Sequence, residues 1–167
     1  MRRQGLIMLI VGWLTVGGLI WWGMDALTRP NAHLAGVTVL ADEVVLKRDR
    51  SGHYIAPGRI NGHAVTFLVD TGATQVAVPL RVAERIGLKP GAAFRAHTAS
   101  GVATAYATRL DSVDVGGLIA HDVAGSILPD MPGEGVLLGM SYLSRFEVRI
   151  EGQEMRLRAR QAPSGPG

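Results

Sequence analysis

The chain contains no cysteine. That excludes disulfides, thiolate metal sites and a cysteine nucleophile, so any domain it forms is held by packing and hydrogen bonding alone. Lysine occurs only at Lys47 and Lys89. No glycine-rich phosphate loop precedes a Lys-Ser or Lys-Thr pair, and no serine stands in a Gly-x-Ser-x-Gly setting. A Ser-Lys hydrolase using Lys47 or Lys89 is left as a formal alternative without a supporting motif. The histidines, at 33, 53, 63, 97 and 121, are scattered. They lack the His-Glu-x-x-His spacing of a zinc site and read as surface or satisfied side chains, so no metal and no other cofactor is expected.

One long uncharged run is present, over residues 5–24, between Met1-Arg2-Arg3-Gln4 and Asp25. At helical rise it covers about 30 Å, the hydrocarbon thickness of a bilayer. Trp21 and Trp22 fall near its far end, where indole rings favour the interface. The run is too long for the usual core of a cleaved leader, and no small-x-small site follows Met24. It predicts a retained signal anchor. Arg2 and Arg3 bias residues 1–4 to the cytoplasm, so the rest of the chain is expected outside it, on the periplasmic side of the inner membrane in a Gram-negative cell.

With an anchor subtracted from 167 residues, room is left for one compact domain of about 110–120 residues. Residues 25–42 read as a linker, 43–160 as the domain and 161–167, Gln-Ala-Pro-Ser-Gly-Pro-Gly, as a disordered tail. The formal net charge of +3 is concentrated near the end, in Arg145, Arg149, Arg156, Arg158 and Arg160. Arg156, Arg158 and Arg160 alternate with Met155, Leu157 and Ala159, which is strand periodicity with one solvated face. No nucleic-acid recognition motif accompanies them, and no nucleic-acid partner is expected.

Short strands with turn punctuation fill the domain: 43–48, 53–60 and 64–69, with Asn61-Gly62 as a strong hairpin signal. Strand 75–78 follows, then a short helix opened by Pro79 and stopped by Gly87. A hairpin about Ser100-Gly101 runs on through Val115 to a turn at Gly116-Gly117 and strand 118–128. An irregular loop over 129–135 leads to a buried strand 136–138, a short helix near 141–144 and a hairpin over 146–160 turning at Gly152. Many short strands with only two small helices predict an all-β, barrel-like domain.

Within that pattern the stretch Phe67-Leu68-Val69-Asp70-Thr71-Gly72-Ala73-Thr74 places a carboxylate at the end of an apolar strand, before a turn-permissive sequence. Val65, Phe67 and Val69 share one strand face, and Gly72 removes a Cβ from the turn. With Thr98-Ala99-Ser100-Gly101-Val102 and Val136-Leu137-Leu138-Gly139-Met140-Ser141-Tyr142-Leu143, in this order, the chain resembles the retropepsin-like (retroviral-type) aspartic proteases of the membrane-anchored bacterial kind. The resemblance covers about residues 43–160. It implies a closed β-barrel domain, here preceded by one transmembrane helix. It also implies a homodimer in which Asp70 of each chain forms the catalytic dyad, Thr71 ties the two active-site loops together, and Gly72 offers backbone contact to a peptide substrate. Ala73 and Thr74 complete the active-site loop, and residues 98–102 are the flap over the substrate. Retroviral enzymes usually carry a second Asp where this chain has Thr74, so that residue's substrate contacts do not transfer.

The only other Asp-x-Gly is Asp114-Val115-Gly116, at an expected turn. A two-lobed single-chain enzyme therefore does not fit. The expected function is a membrane-anchored aspartic endopeptidase, hydrolysing peptide bonds with a water activated by the Asp70 dyad. The alternative is a catalytically silent, membrane-tethered peptide-binding module with the same fold.

Overall fold

The computed structural model describes residues 31–34, 42–98 and 101–160. The apolar run 5–24, most of the expected linker, flap residues Ala99 and Ser100, and the tail 161–167 lie outside the described residues. Among the described residues no helix is long and apolar enough to cross a membrane.

Among the described residues ten strands carry the fold: β1 (Glu43–Lys47), β2 (Ile55–Ile60), β3 (His63–Val69), β4 (Val76–Pro79), β5 (Ala93–Thr98), β6 (Gly101–Val115), β7 (Leu118–Leu128), β8 (Gly135–Leu138), β9 (Phe146–Glu151) and β10 (Glu154–Ala159). Two short helices, Leu80–Arg85 and Met140–Leu143, interrupt them. Strands β2, β3, β8, β4, β7 and β6 neighbour one another in that order, and a β2–β6 pairing closes them into a barrel, with β5 extending the sheet beyond β6. Strands β1, β10 and β9 form a separate sheet. Phe67, Ile60, Leu110, Val123, Ile127, Val136 and Leu138 fill the barrel and are fully buried.

Closure depends on two positions. A Cβ on Gly58 would run into the carbonyl oxygen of Asp114 and lie 2.7 Å from the Phe67 ring, so only glycine lets β2 cross against β6 here. At the adjoining hairpin Asn61 and Gly62 take φ of 48° and 80°. This is the left-handed pair that a tight hairpin requires. Asn61 also stitches the closure: its N–H donates to the Ser112 carbonyl at 2.9 Å and its Oδ1 accepts from the Ser112 N–H at 3.1 Å. Pro79, expected to open the first helix, instead ends β4 with ψ of 143°. Its fixed φ suits both conformations, and pairing opposite Leu128 selects the extended one.

Residues 31–34 fall within the stretch expected as linker, yet they dock on the domain. Asn31 is buried. Its Nδ2 donates to the carbonyls of Lys47 at 2.9 Å and Ile55 at 2.7 Å, and its Oδ1 accepts the Lys47 N–H at 2.7 Å. One amide thus bridges β1 of the small sheet to β2 of the barrel, while Leu34 packs against the core. In Asn31→Ala three hydrogen bonds are lost, and part-buried backbone groups of Lys47 and Ile55 lose their side-chain partner. The expected cost is about 1–3 kcal/mol, read as a lower unfolding midpoint of the full chain; an unchanged midpoint would show that the clamp carries no stability.

Candidate active site

Asp70 follows β3 directly and is half-buried. Its N–H donates to the Leu138 carbonyl at 3.2 Å, continuing the parallel β3–β8 ladder by one step. The Ala73 N–H then returns to the Asp70 carbonyl at 3.2 Å, turning the chain. Within that turn the Gly72 N–H donates to Asp70 Oδ1 at 2.9 Å. This charge-assisted bond fixes the carboxylate's direction. Gly72 does not adopt positive φ; its value is space, since a Cβ there would lie 3.2 Å from Asp70 Oδ1. Thr71, Gly72 and Thr74 are exposed, and Ala73 is half-buried.

The loop is held from the other side by the segment after β8. β8 runs parallel to β3 and antiparallel to β4, with Ala77 opposite Leu137, so it lies between the strands that enter and leave the Asp70 loop. Gly139 then passes beneath the loop. A Cβ at that position would run into the Gln75 carbonyl oxygen and lie 2.6 Å from that of Ala73. The next two N–H groups bind the loop: Met140 to the Ala73 carbonyl at 2.8 Å and Ser141 to the Thr74 carbonyl at 2.9 Å.

Ser141 contributes a second tie that reading the sequence had missed. Its Oγ accepts the Val76 N–H at 3.0 Å and donates to the Ala124 carbonyl at 2.7 Å, linking the loop's exit to β7. A hydroxyl committed in both directions is a brace, not a nucleophile. Tyr142 seats the same helix: its buried hydroxyl donates to the Leu118 carbonyl at 2.7 Å, and burial pushes the phenol pKa up, so it stays a donor. No neighbouring residue marks Ser141 for this role, because its partners Val76 and Ala124 lie 65 and 17 positions away along the chain.

Of the flap residues, Thr98 and Gly101 face each other across the β5–β6 hairpin, where Thr98 Oγ1 donates to the Gly101 carbonyl at 2.8 Å. Val102 is exposed. Among the described residues these three make no hydrogen bond to the Asp70 loop, and the only side-chain hydrogen bond of Asp70 is the one from Gly72. One chain therefore presents a single carboxylate whose Oδ1 is oriented by the Gly72 N–H and whose second oxygen has no hydrogen bond among the described residues.

Residues 56–145 match the family described as gag-polyprotein putative aspartyl protease. The chain belongs to that family. The matched segment runs from β2 through the Asp70 loop to the turn before β9, so it contains the whole closed barrel and its brace. A retropepsin-like aspartic protease from Rickettsia conorii has a similar crystal structure, with 28% identity and a TM-score of 0.59 over 70% of this chain and 89% of that one. This supports a retropepsin-like fold for the barrel. EIAV protease in complex with the inhibitor HBY-793 is more remote, at 17% identity and a TM-score of 0.47, covering 59% of this chain and 92% of that one. A protein of Sinorhizobium sp. described only by its place in the cobV 5′ region is 32% identical over 142 residues, 77% of this chain. The chain spans 61% of the length of that relative.

Two outcomes test the architecture of the site. Gly139→Ala has no room for its methyl and is expected to cost about 3 kcal/mol, the upper end of overpacking, or more; a midpoint equal to wild type in thermal unfolding would refute the close passage. Arg85 Nη1 donates to Glu134 Oε2 at 2.8 Å, tying the first helix to the loop before β8, and that bond holds the Glu134 carboxyl below its ordinary range. A carboxyl depressed in the fold contributes stability above its unfolded pKa and loses it as pH falls through the folded value. Glu134→Gln should therefore flatten part of the acid-side decline in unfolding midpoint. Equal slopes in both proteins would remove this pair from the account.

Proposed function

We propose that this chain is a membrane-anchored aspartic endopeptidase that works as a homodimer, with Asp70 of each chain forming the dyad. The observation that carries the reading is the oriented Asp70 carboxylate on a loop braced from beneath by Gly139, Met140 and Ser141. Peptide hydrolysis without metal or covalent intermediate needs a base to activate water and an acid to polarise the carbonyl. A lone carboxylate cannot be both at once. Two carboxylates about 3 Å apart cannot both ionise easily, so they share a proton and titrate as a pair; aspartic proteases are the standard example of this.

The ionised Asp70 takes a proton from the water held between the carboxylates as that water attacks the scissile carbonyl carbon. The protonated Asp70 of the other chain hydrogen-bonds the carbonyl oxygen and then gives up its proton to it. The tetrahedral gem-diol collapses when the amide nitrogen takes a proton and leaves as the amine, the second proton returning to the dyad. Gly72 supplies backbone contact to the substrate, Thr71 ties the paired loops across the dimer, and residues 98–102 close over the bound peptide and exclude bulk water. Residues 5–24 hold the enzyme in the membrane with the protease domain outside the cytoplasm.

The test uses the full chain in detergent with a peptide library over a range of pH. Asp70→Asn keeps the size of the side chain and removes the acid–base function, so cleavage should fall to background while the unfolding midpoint is retained. Cleavage by the variant at the wild-type rate would sink the assignment. Peptide binding without cleavage by folded, dimeric wild type would instead identify a silent binding module.

A further inference from the structure

Asn31 fastens the chain that leads from the apolar run 5–24, and it does so beside Asp70. Its Nδ2 donates to the Ile55 carbonyl at 2.7 Å, and Ile55 stands opposite Leu68, just before the strand end that carries Asp70. The neighbouring Tyr54 carbonyl accepts the Val69 N–H at 2.9 Å. Asn31 therefore meets β2 at the end next to the active-site loop, away from the Ile60 end where the barrel closes on β6. Leu34 secures the same segment, with its Cδ2 3.1 Å from where a Cβ on Gly116 would stand.

This docking shortens the tether. Were residues 25–42 free, they could hold the domain about 60 Å from the end of the apolar run. With Asn31 docked, only residues 25–30 remain between that run and the domain. Even fully extended they span about 20 Å. The way from Asn31 to Asp70 crosses one side chain, one strand spacing of about 4.8 Å and two residues of strand rise, about 20 Å at the outside. Asp70 is thus held within about 40 Å of the end of the run, whatever path residues 25–30 take. A substrate chain covers that distance in about a dozen extended residues.

We propose that the substrates are juxtamembrane segments of other proteins anchored in the same membrane, cut within about a dozen residues of their spans. This rests on the anchored aspartic protease put forward above and names its substrate class. The short tether keeps the cleft at a height that such segments pass through and that domains carried farther out do not reach. Enzyme and substrate confined to one plane meet at a raised effective concentration, on condition that their tethers let the bond and Asp70 come to the same height. Asn31 is then a positioning residue: it sets which bonds are offered and takes no part in the chemistry.

The experiment uses the full chain in proteoliposomes with two single-span substrates that carry one cleavable sequence, chosen beforehand as a free peptide. In the first that sequence starts about five residues beyond the span. In the second an unbroken helix of about sixty residues, continuous with the span, holds it about 90 Å out. The first should be cut at least about tenfold faster. Inserting the same helix between Asp25 and Asn31 lifts the domain without touching its folded part, and should reverse the preference while both forms cut the free peptide equally. Height is read separately, in an Asp70→Asn background. The chain has no cysteine, so Thr74→Cys gives a single labelling position on the exposed part of the loop. Energy transfer to headgroup-labelled lipid should place that label within about 40 Å of the bilayer surface, and farther out in the lifted form.

Equal rates on the two substrates, a preference unchanged by lifting, or a label well beyond about 40 Å overturns the proposal. In each of those cases cleavage of the free peptide leaves the protease reading standing. A chain that cuts neither the peptide nor either substrate removes the protease reading, and this substrate class with it.

Discussion

The passage of Gly139 beneath the Asp70 loop constrains more of this molecule than any other contact. Two carbonyl oxygens, of Ala73 and Gln75, stand where a side chain at 139 would be, and the N–H groups of Met140 and Ser141 immediately beyond it bind the loop from below. β8 must therefore lie between β3 and β4, parallel to one and antiparallel to the other. Barrel order follows from that insertion. So does the attitude of the carboxylate, because Asp70 is the last residue of the chain to bond β8 before the turn.

In the proposed dyad, rigidity at this point would serve the chemistry directly. A shared-proton pair of carboxylates tolerates little positional error, since its acid and base roles depend on the short separation. Backbone hydrogen bonds and a braced serine hydroxyl hold the loop, and among the described residues the only hydrogen bond to the Asp70 side chain comes from the Gly72 N–H. The buried phenol of Tyr142 extends the brace to β7, and its tilted contact with Phe146, 4.9 Å between ring centres, carries it to the start of β9. The site and the edge of the small sheet are thus parts of one packed unit.

Asn31 does the corresponding work at the opposite junction. Its side-chain amide supplies two donors and an acceptor to backbone groups of β1 and β2 that the small sheet and the barrel do not satisfy between themselves. The domain thereby begins earlier than its strands do, and the segment leading toward the apolar run is fastened to it.

Much of this was legible in the residues. Alternating apolar positions, the Asn61-Gly62 and Gly116-Gly117 turns and the breaks at Gly87 and Gly152 are local signals, and they located nearly every strand, because strand and turn preferences act over a few residues. The placement of Asp70 at a strand end and the solvated face of Arg156, Arg158 and Arg160 belong to the same class. Asn31, Ser141 and Gly58 do not. Each acts through partners far along the chain, and nothing in the neighbouring residues marks an asparagine that bridges two sheets, a serine that braces a loop or a glycine that admits a crossing strand. What the amino-acid sequence determined by itself was the periodic pattern and the acid at its turn, which short-range sterics and burial dictate; what only the tertiary structure decided was strand order, barrel closure and the bracing of that acid, because these arise from contacts between segments that local preference cannot bring together.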